Sequence, residues 1–263
     1  MVQISAHCDH SARAPVTRET YAGTLACGAE YAELDIRRTA DDVLVVHHDA
    51  RAGRGGPLVA ELRYRELCGR LGHTVLTAGE VMELLAGQQM AHLDLKETGY
   101  EATVVALASA ILGPGNFVVT SLEGESIATI KQAFPQVRAA LSLGRSLRGV
   151  PRLRWAAVRH SELFPLRRVR ACGADSVAVN YRLAQLGVAG ACHRHGIGVM
   201  VWTVDPDPLI DQFLADQRVG VLITNRPHHA VRRRAELRLA AAGGPRPDGT
   251  APGRRREASR GLS

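Results

Sequence analysis

Residues 32–48, Ala-Glu-Leu-Asp-Ile-Arg-Arg-Thr-Ala-Asp-Asp-Val-Leu-Val-Val-His-His, hold two strand-like runs, Ala32–Arg37 and Val43–His48, with five residues between them. A crossover to a parallel neighbour needs at least ~10–12 residues. The second run therefore folds back on the first as a hairpin and extends that strand. Outward from this point, apolar runs recur at Val2–His7, Met90–Lys96, Phe117–Leu122, Arg138–Leu143, Ser176–Tyr181, Val199–Val204 and Val219–Thr224. Between them lie helical patterns such as Val104, Leu107, Ala108, Ile111 and Ile127, Ile130, Phe134, whose spacing gives a helix one buried face. With the hairpin counted once there are eight strands alternating with helices. That order predicts an α/β fold, a (β/α)8 TIM barrel with a β-hairpin extension after the second strand. The same alternation also allows an open doubly wound sheet. No Gly-x-Gly-x-x-Gly and no P-loop opens a helix, which removes support for a dinucleotide or nucleoside triphosphate site.

The chain has 263 residues, 46% hydrophobic and 22% charged, enough for one sizeable core. Its net charge of +7 is uneven: Arg232 to Ser263 hold nine Arg against Glu236, Asp248 and Glu257. We expect a near-neutral barrel over 1–231 and an Arg/Gly/Pro-rich, mostly disordered tail over 232–263, whose start can continue the last helix. The tail suggests weak contact with an anionic membrane at most, and no nucleic-acid partner is expected. Five Cys, at 8, 27, 68, 172 and 192, form no Cys-x-x-Cys pair, so neither a disulfide framework nor a zinc site is signalled. With no ~20-residue apolar run and no signal-like amino terminus, the expectation is a cytoplasmic protein.

Polar residues gather at the carboxyl ends of the early strands, the end that forms the active face of such a barrel. Glu33 and Asp35 are two apart and share one face of their strand. Two carboxylates turned into a barrel mouth repel and are costly to desolvate unless a cation lies between them. A hard divalent ion, Mg²⁺ or Ca²⁺, held by Glu33, Asp35 and Asp94 answers this. Lys96 repeats the two-residue spacing from Asp94 and places an ammonium where an anionic substrate oxygen would sit. His7 and His48, at strand ends, can share proton transfer in a displacement at phosphorus. The other histidines, His92 among them, are expected to be surface or structural, and His47 to point away from His48.

In its segments Ala-Glu-Leu-Asp-Ile-Arg (32–37), Val-Leu-Val-Val-His-His-Asp (43–49) with Arg54 beyond, Leu-Asp-Leu-Lys (93–96), Val-Val-Thr-Ser (118–121), Met-Val-Trp-Thr-Val (200–204) and Leu-Ile-Thr-Asn-Arg-Pro (222–227), the sequence resembles the glycerophosphodiester phosphodiesterase family. The resemblance implies a TIM barrel, a divalent metal and hydrolysis of a small-molecule phosphodiester to an alcohol and a phosphomonoester such as glycerol 3-phosphate, a reaction of lipid metabolism. It also implies that His7 and His48 are the acid/base pair and that Glu33, Asp35 and Asp94 bind the metal. Lys96, Trp202 and Arg37 complete the expected site as substrate-binding residues.

Several positions depart from the family pattern. His7-Cys8-Asp9 stands where His-Arg-Gly is usual, Ala14-Pro15-Val16-Thr17 where Pro-Glu-Asn-Thr is usual, Asp94 where Glu is usual and Leu122 where Phe is usual. Exchanging an Arg that reaches phosphate for a thiol weakens anion binding by ~1–3 kcal/mol. Two alternatives follow: a barrel that binds a phosphorylated metabolite or an anionic membrane without turnover, and a phosphodiester lyase that releases a cyclic phosphate.

Overall fold

The computed structural model describes residues 1–7, 16–147 and 149–242. Nine strands form one sheet: β1 (Gln3–Ala6), β2 (Tyr31–Arg38), β3 (Leu44–Val46), β4 (Met90–Leu95), β5 (Phe117–Ser121), β6 (Arg138–Leu143), β7 (Ser176–Asn180), β8 (Gly198–Trp202) and β9 (Val221–Thr224). Eight of them run parallel, and β1 pairs with both β2 and β9, so the sheet closes on itself. Closure excludes the open sheet and makes the fold a TIM barrel. β3 is antiparallel to β2, with Ile36 opposite Val46 and Arg38 opposite Leu44, and is the expected hairpin extension. Its turn is tied by Thr39, whose hydroxyl donates to Asp41 (2.7 Å), and by Asp42 at φ +61°, a left-handed conformation that Asp tolerates better than most residues.

The alternation of side chains sorts the barrel into two shells. Ala32, Leu34 and Ile36 of β2, with Ala91, Leu93 and Leu95 of β4, point outward into the helix layer. Tyr31, Val118, Ala140, Ala178, Met200 and Val221 point inward and fill the lower barrel. One level higher the interior turns polar, with Ser5, Glu33, His92, Thr120 and Ser142 all buried. The apolar plug thus forms a floor under a polar upper layer at the carboxyl ends of the strands. Helices such as Ala78–Leu85 cover the outside; there Thr77 caps the amino terminus in a reciprocal pair with Glu80, and Val81, Met82 and Leu85 are buried.

The last helix, Pro227–Ala242, extends well past the expected barrel boundary at residue 231. Arg234 donates to Glu30 (2.8 Å) and to the Val2 carbonyl (3.0 Å), and Arg233 forms a two-bond pair with Asp211 (2.9 and 2.8 Å). Part of the basic run therefore fastens the closing helix to the barrel. Residues 243–263, like His10 and the departures at Cys8, Asp9, Ala14 and Pro15, lie outside the described residues. Among the described residues, no helix is long and apolar enough to cross a membrane.

Candidate active site

The β2–β4 register places Glu33 beside His92 and Asp35 beside Asp94. One oxygen from each of Glu33, Asp35 and Asp94 lies within 4.8 Å of the others. Asp35 is fully buried and Glu33 nearly so. The Lys96 ammonium sits 2.7 Å from Asp35 and 2.5 Å from Asp94, and Thr120 donates its hydroxyl to Asp94 (2.5 Å). Glu33 Oε2 is buried with no hydrogen-bond partner among the described residues. Burial first, and then the Asp35 and Asp94 charges, raise the Glu33 pKa against the pull of His7 and His92. Three converging carboxylates with an orphaned oxygen and a single ammonium form a donor set that fits a hard divalent cation.

His7 stands at the end of β1. Its Nδ1 meets Asn225 Oδ1 at 2.6 Å, and its Nε2 lies 4.0 Å from Glu33 Oε2. The amide of Asn225 is oriented by Asp205, which accepts from Asn225 Nδ2 (2.9 Å), from its backbone N–H (2.9 Å) and from Thr224 Oγ1 (3.1 Å). A carboxylate only accepts, so the amide nitrogen faces Asp205 and the amide oxygen faces His7. That assignment puts a proton on His7 Nδ1 and turns Nε2 toward the carboxylates. Burial alone lowers the His7 pKa, but Glu33, Asp35 and the bond to Asn225 outweigh it, and the net shift is upward.

His48 follows β3 at the rim, half exposed, with Nδ1 2.9 Å from Asp49 Oδ1. Its carbonyl accepts two bonds from the Arg37 guanidinium (3.1 and 2.8 Å), whose other branch pairs with Glu97. Arg37 shares a strand face with Glu33 and Asp35, yet it sits above the cavity, where β2 leaves the barrel to pair with β3. Arg37, expected as a substrate ligand, is buried here with its guanidinium bonded to the His48 carbonyl and paired with Glu97. Trp202 does reach the cavity; its indole N–H donates to the Ala178 carbonyl (2.9 Å).

One cavity of about 270 Å³ is lined by His7, His48, Glu33, Asp94, Lys96 and Trp202, together with His92, Thr120, Leu122, Ser142, Ala178, Thr203 and Ile223. His92 lies in the barrel interior and not on the surface. Its Nε2 bonds Thr120 Oγ1 (3.0 Å) and its Nδ1 Ser5 Oγ (3.2 Å). Because Thr120 gives its one proton to Asp94, His92 Nε2 must be the donor, and a chain His92–Thr120–Asp94 holds the carboxylate. The two-residue spacing of His92 and Asp94 carried that information. Asn225 and Asp205 gave no comparable signal, since only barrel closure brings them to His7. His47 turns aside, with Nε2 3.4 Å from the Arg51 carbonyl.

Residues 10–75 match the sequence pattern of the glycerophosphoryl diester phosphodiesterase family. No curated protein matches the chain in sequence. Among solved structures, a glycerophosphodiester phosphodiesterase from Agrobacterium tumefaciens aligns with a TM-score of 0.65 at 22% identity, over 89% of this chain and 100% of that one. One from Thermotoga maritima aligns with a TM-score of 0.66 at 19% identity, over 91% and 98%. A phosphodiesterase from Oleispira antarctica, solved in complex with the product sn-glycerol-3-phosphate, aligns with a TM-score of 0.67 at 16% identity, over 88% and 96%. The chain thus resembles the glycerophosphoryl diester phosphodiesterase family, in sequence over residues 10–75 and in fold around the barrel.

Proposed function

We propose that the protein hydrolyses a small phosphodiester of the glycerophosphodiester kind to an alcohol and a phosphomonoester. The observation that carries this reading is one cavity lined by His7, His48, Glu33, Asp94 and Lys96, with Asp35 buried beside the two lining carboxylates. Glu33, Asp35 and Asp94 would hold Mg²⁺ or Ca²⁺, which supplies positive charge to phosphoryl oxygens. His7 and His48 serve as the proton-transfer pair: one takes a proton from the attacking water and the other delivers one to the departing alkoxide. Asn225 keeps the His7 proton on Nδ1, so Nε2 is the atom that exchanges with substrate. Lys96 neutralises charge on the phosphoryl group, and Trp202 with Leu122 forms an apolar wall for the alcohol side. The solved Oleispira antarctica relative with its bound product supports a substrate of this size.

The test is hydrolysis of glycerophosphocholine and glycerophosphoethanolamine with Mg²⁺, with Ca²⁺ and with EDTA, alongside His48→Ala. Turnover lost with EDTA and with the substitution is expected. A folded, metal-loaded protein silent on the whole panel would overturn the reading, and release of a cyclic phosphate would make the enzyme a lyase.

A further inference from the structure

The helix Arg152–Leu163 buries one side chain, and that side chain is Glu162. Its carboxylate accepts from the backbone N–H groups of Gly144 and Arg145 (2.9 and 2.7 Å) and from the Arg159 guanidinium (2.5 Å). Residues 151–157 are all exposed. They include Leu153 at 98% exposure and Trp155 at 40%, with Phe164 at 67% just beyond the helix. Leu186, also well exposed, sits on the turn Ala184–Val188, against which this helix packs. A helix that packs only its last residue, Leu163, partly against the core while presenting leucine and aromatic side chains to water needs an explanation outside the barrel.

Charge supplies it. From Arg145 to Arg170 the sequence has eight Arg and one acid, Glu162, which is consumed internally. The segment leaves the carboxyl end of β6, on the cavity side of the barrel. A side chain at Gly144 would come within 3.2 Å of the Trp202 ring, and the Arg145 guanidinium donates to Glu123 (2.6 Å) and the Leu122 carbonyl (3.4 Å). Leu122 and Trp202 both line the cavity, so the basic, apolar-tipped projection is rooted on its rim. A nucleic acid would use the arginines but gain nothing from the exposed Leu153 and Phe164. An anionic bilayer uses both, since guanidinium groups pair with lipid phosphates while Leu, Trp and Phe enter the boundary between headgroups and acyl chains.

We propose that residues 149–164, with Leu186 beside them, form an interfacial docking surface for an anionic lipid bilayer that seats the barrel with its cavity rim at the membrane. The surface is separate in sequence from the Arg-rich carboxyl-terminal run, and it does not depend on the hydrolytic reading, because a barrel without turnover would still bind vesicles.

The experiment is co-sedimentation of the full chain with vesicles of phosphatidylglycerol and phosphatidylcholine in equal parts, and with phosphatidylcholine alone. Binding to the anionic vesicles only, weakening as salt is raised, is expected. Leu153→Asp combined with Arg154→Glu should weaken it about tenfold or more, with an unchanged melting curve because both side chains are exposed. Replacing Arg254, Arg255 and Arg256 with Ser should leave it unaltered. In a Trp202→Phe background the remaining indole, Trp155, should be quenched by brominated lipid. The proposal is overturned by absence of vesicle binding, by binding that follows the three terminal arginines instead, by an unquenched Trp155, or by tight binding to duplex DNA that anionic vesicles do not displace.

Discussion

Asp35 and Asp94 are register partners on adjacent parallel strands, and the single ammonium of Lys96 bridges them at 2.7 and 2.5 Å. Burial opposes the charge on Lys96, but Asp94, Asp35 and Glu33 overcome it and push its pKa upward. With EDTA present, Lys96→Met is expected to cost about 3–5 kcal/mol, the usual loss when one partner of a buried pair is removed. Urea unfolding with and without Ca²⁺ checks it: Ca²⁺ should recover more stability in the variant than in the wild type, where the ammonium already offsets part of the charge.

Binding of a divalent ion to Glu33, Asp35 and Asp94 stabilises the folded state by mass action, about 2.7 kcal/mol at a hundredfold excess over Kd. Titration calorimetry and melting with Mg²⁺ or Ca²⁺ should show this for the wild type. Glu33→Gln and Asp35→Asn should lose most of it.

Asn225→Ala removes the acceptor that holds the His7 proton on Nδ1. The kcat is expected to fall about a hundredfold, within the range of general acid–base contributions, with KM little changed. Nitrogen chemical shifts of the His7 ring should show a mixture of tautomers in the variant and one tautomer in the wild type.

Gly144→Ala adds a Cβ at φ +116° that would lie 2.6 Å from Asn180 Cβ and 3.2 Å from the Trp202 ring. Strain and overpacking together should cost about 2 kcal/mol. Displaced Trp202 should also alter the intrinsic fluorescence, so a variant with wild-type melting and emission would contradict the packing described.

Glu30 accepts from the Ile4 backbone N–H and from Arg234, at 2.8 Å each. Burial raises its pKa, but the Arg234 and backbone bonds prevail and lower it. A carboxyl with a depressed folded pKa stabilises the fold above its unfolded pKa, near 4.5, and loses that contribution as pH falls through the folded value. Wild type should therefore exceed Glu30→Gln by about 1 kcal/mol at pH 6, a figure limited by solvent screening, and the gap should close toward pH 3. Denaturant midpoints across that range measure it.

The sequence by itself determined the strand order, the hairpin and the shared face of Glu33 and Asp35. These are local consequences of period-two alternation and of a five-residue connection too short for a crossover. The same alternation in β4 carries His92 to the inner face with Asp94. Only the tertiary structure decided that the sheet closes, that Asp94 falls level with Asp35, and that Asn225 reaches His7 across 218 residues. It also decided that Arg37, on the right face by spacing, is spent on the His48 carbonyl and Glu97. Register, closure and the partners of a long side chain are set by packing among segments distant in sequence, and local pattern holds no information about them.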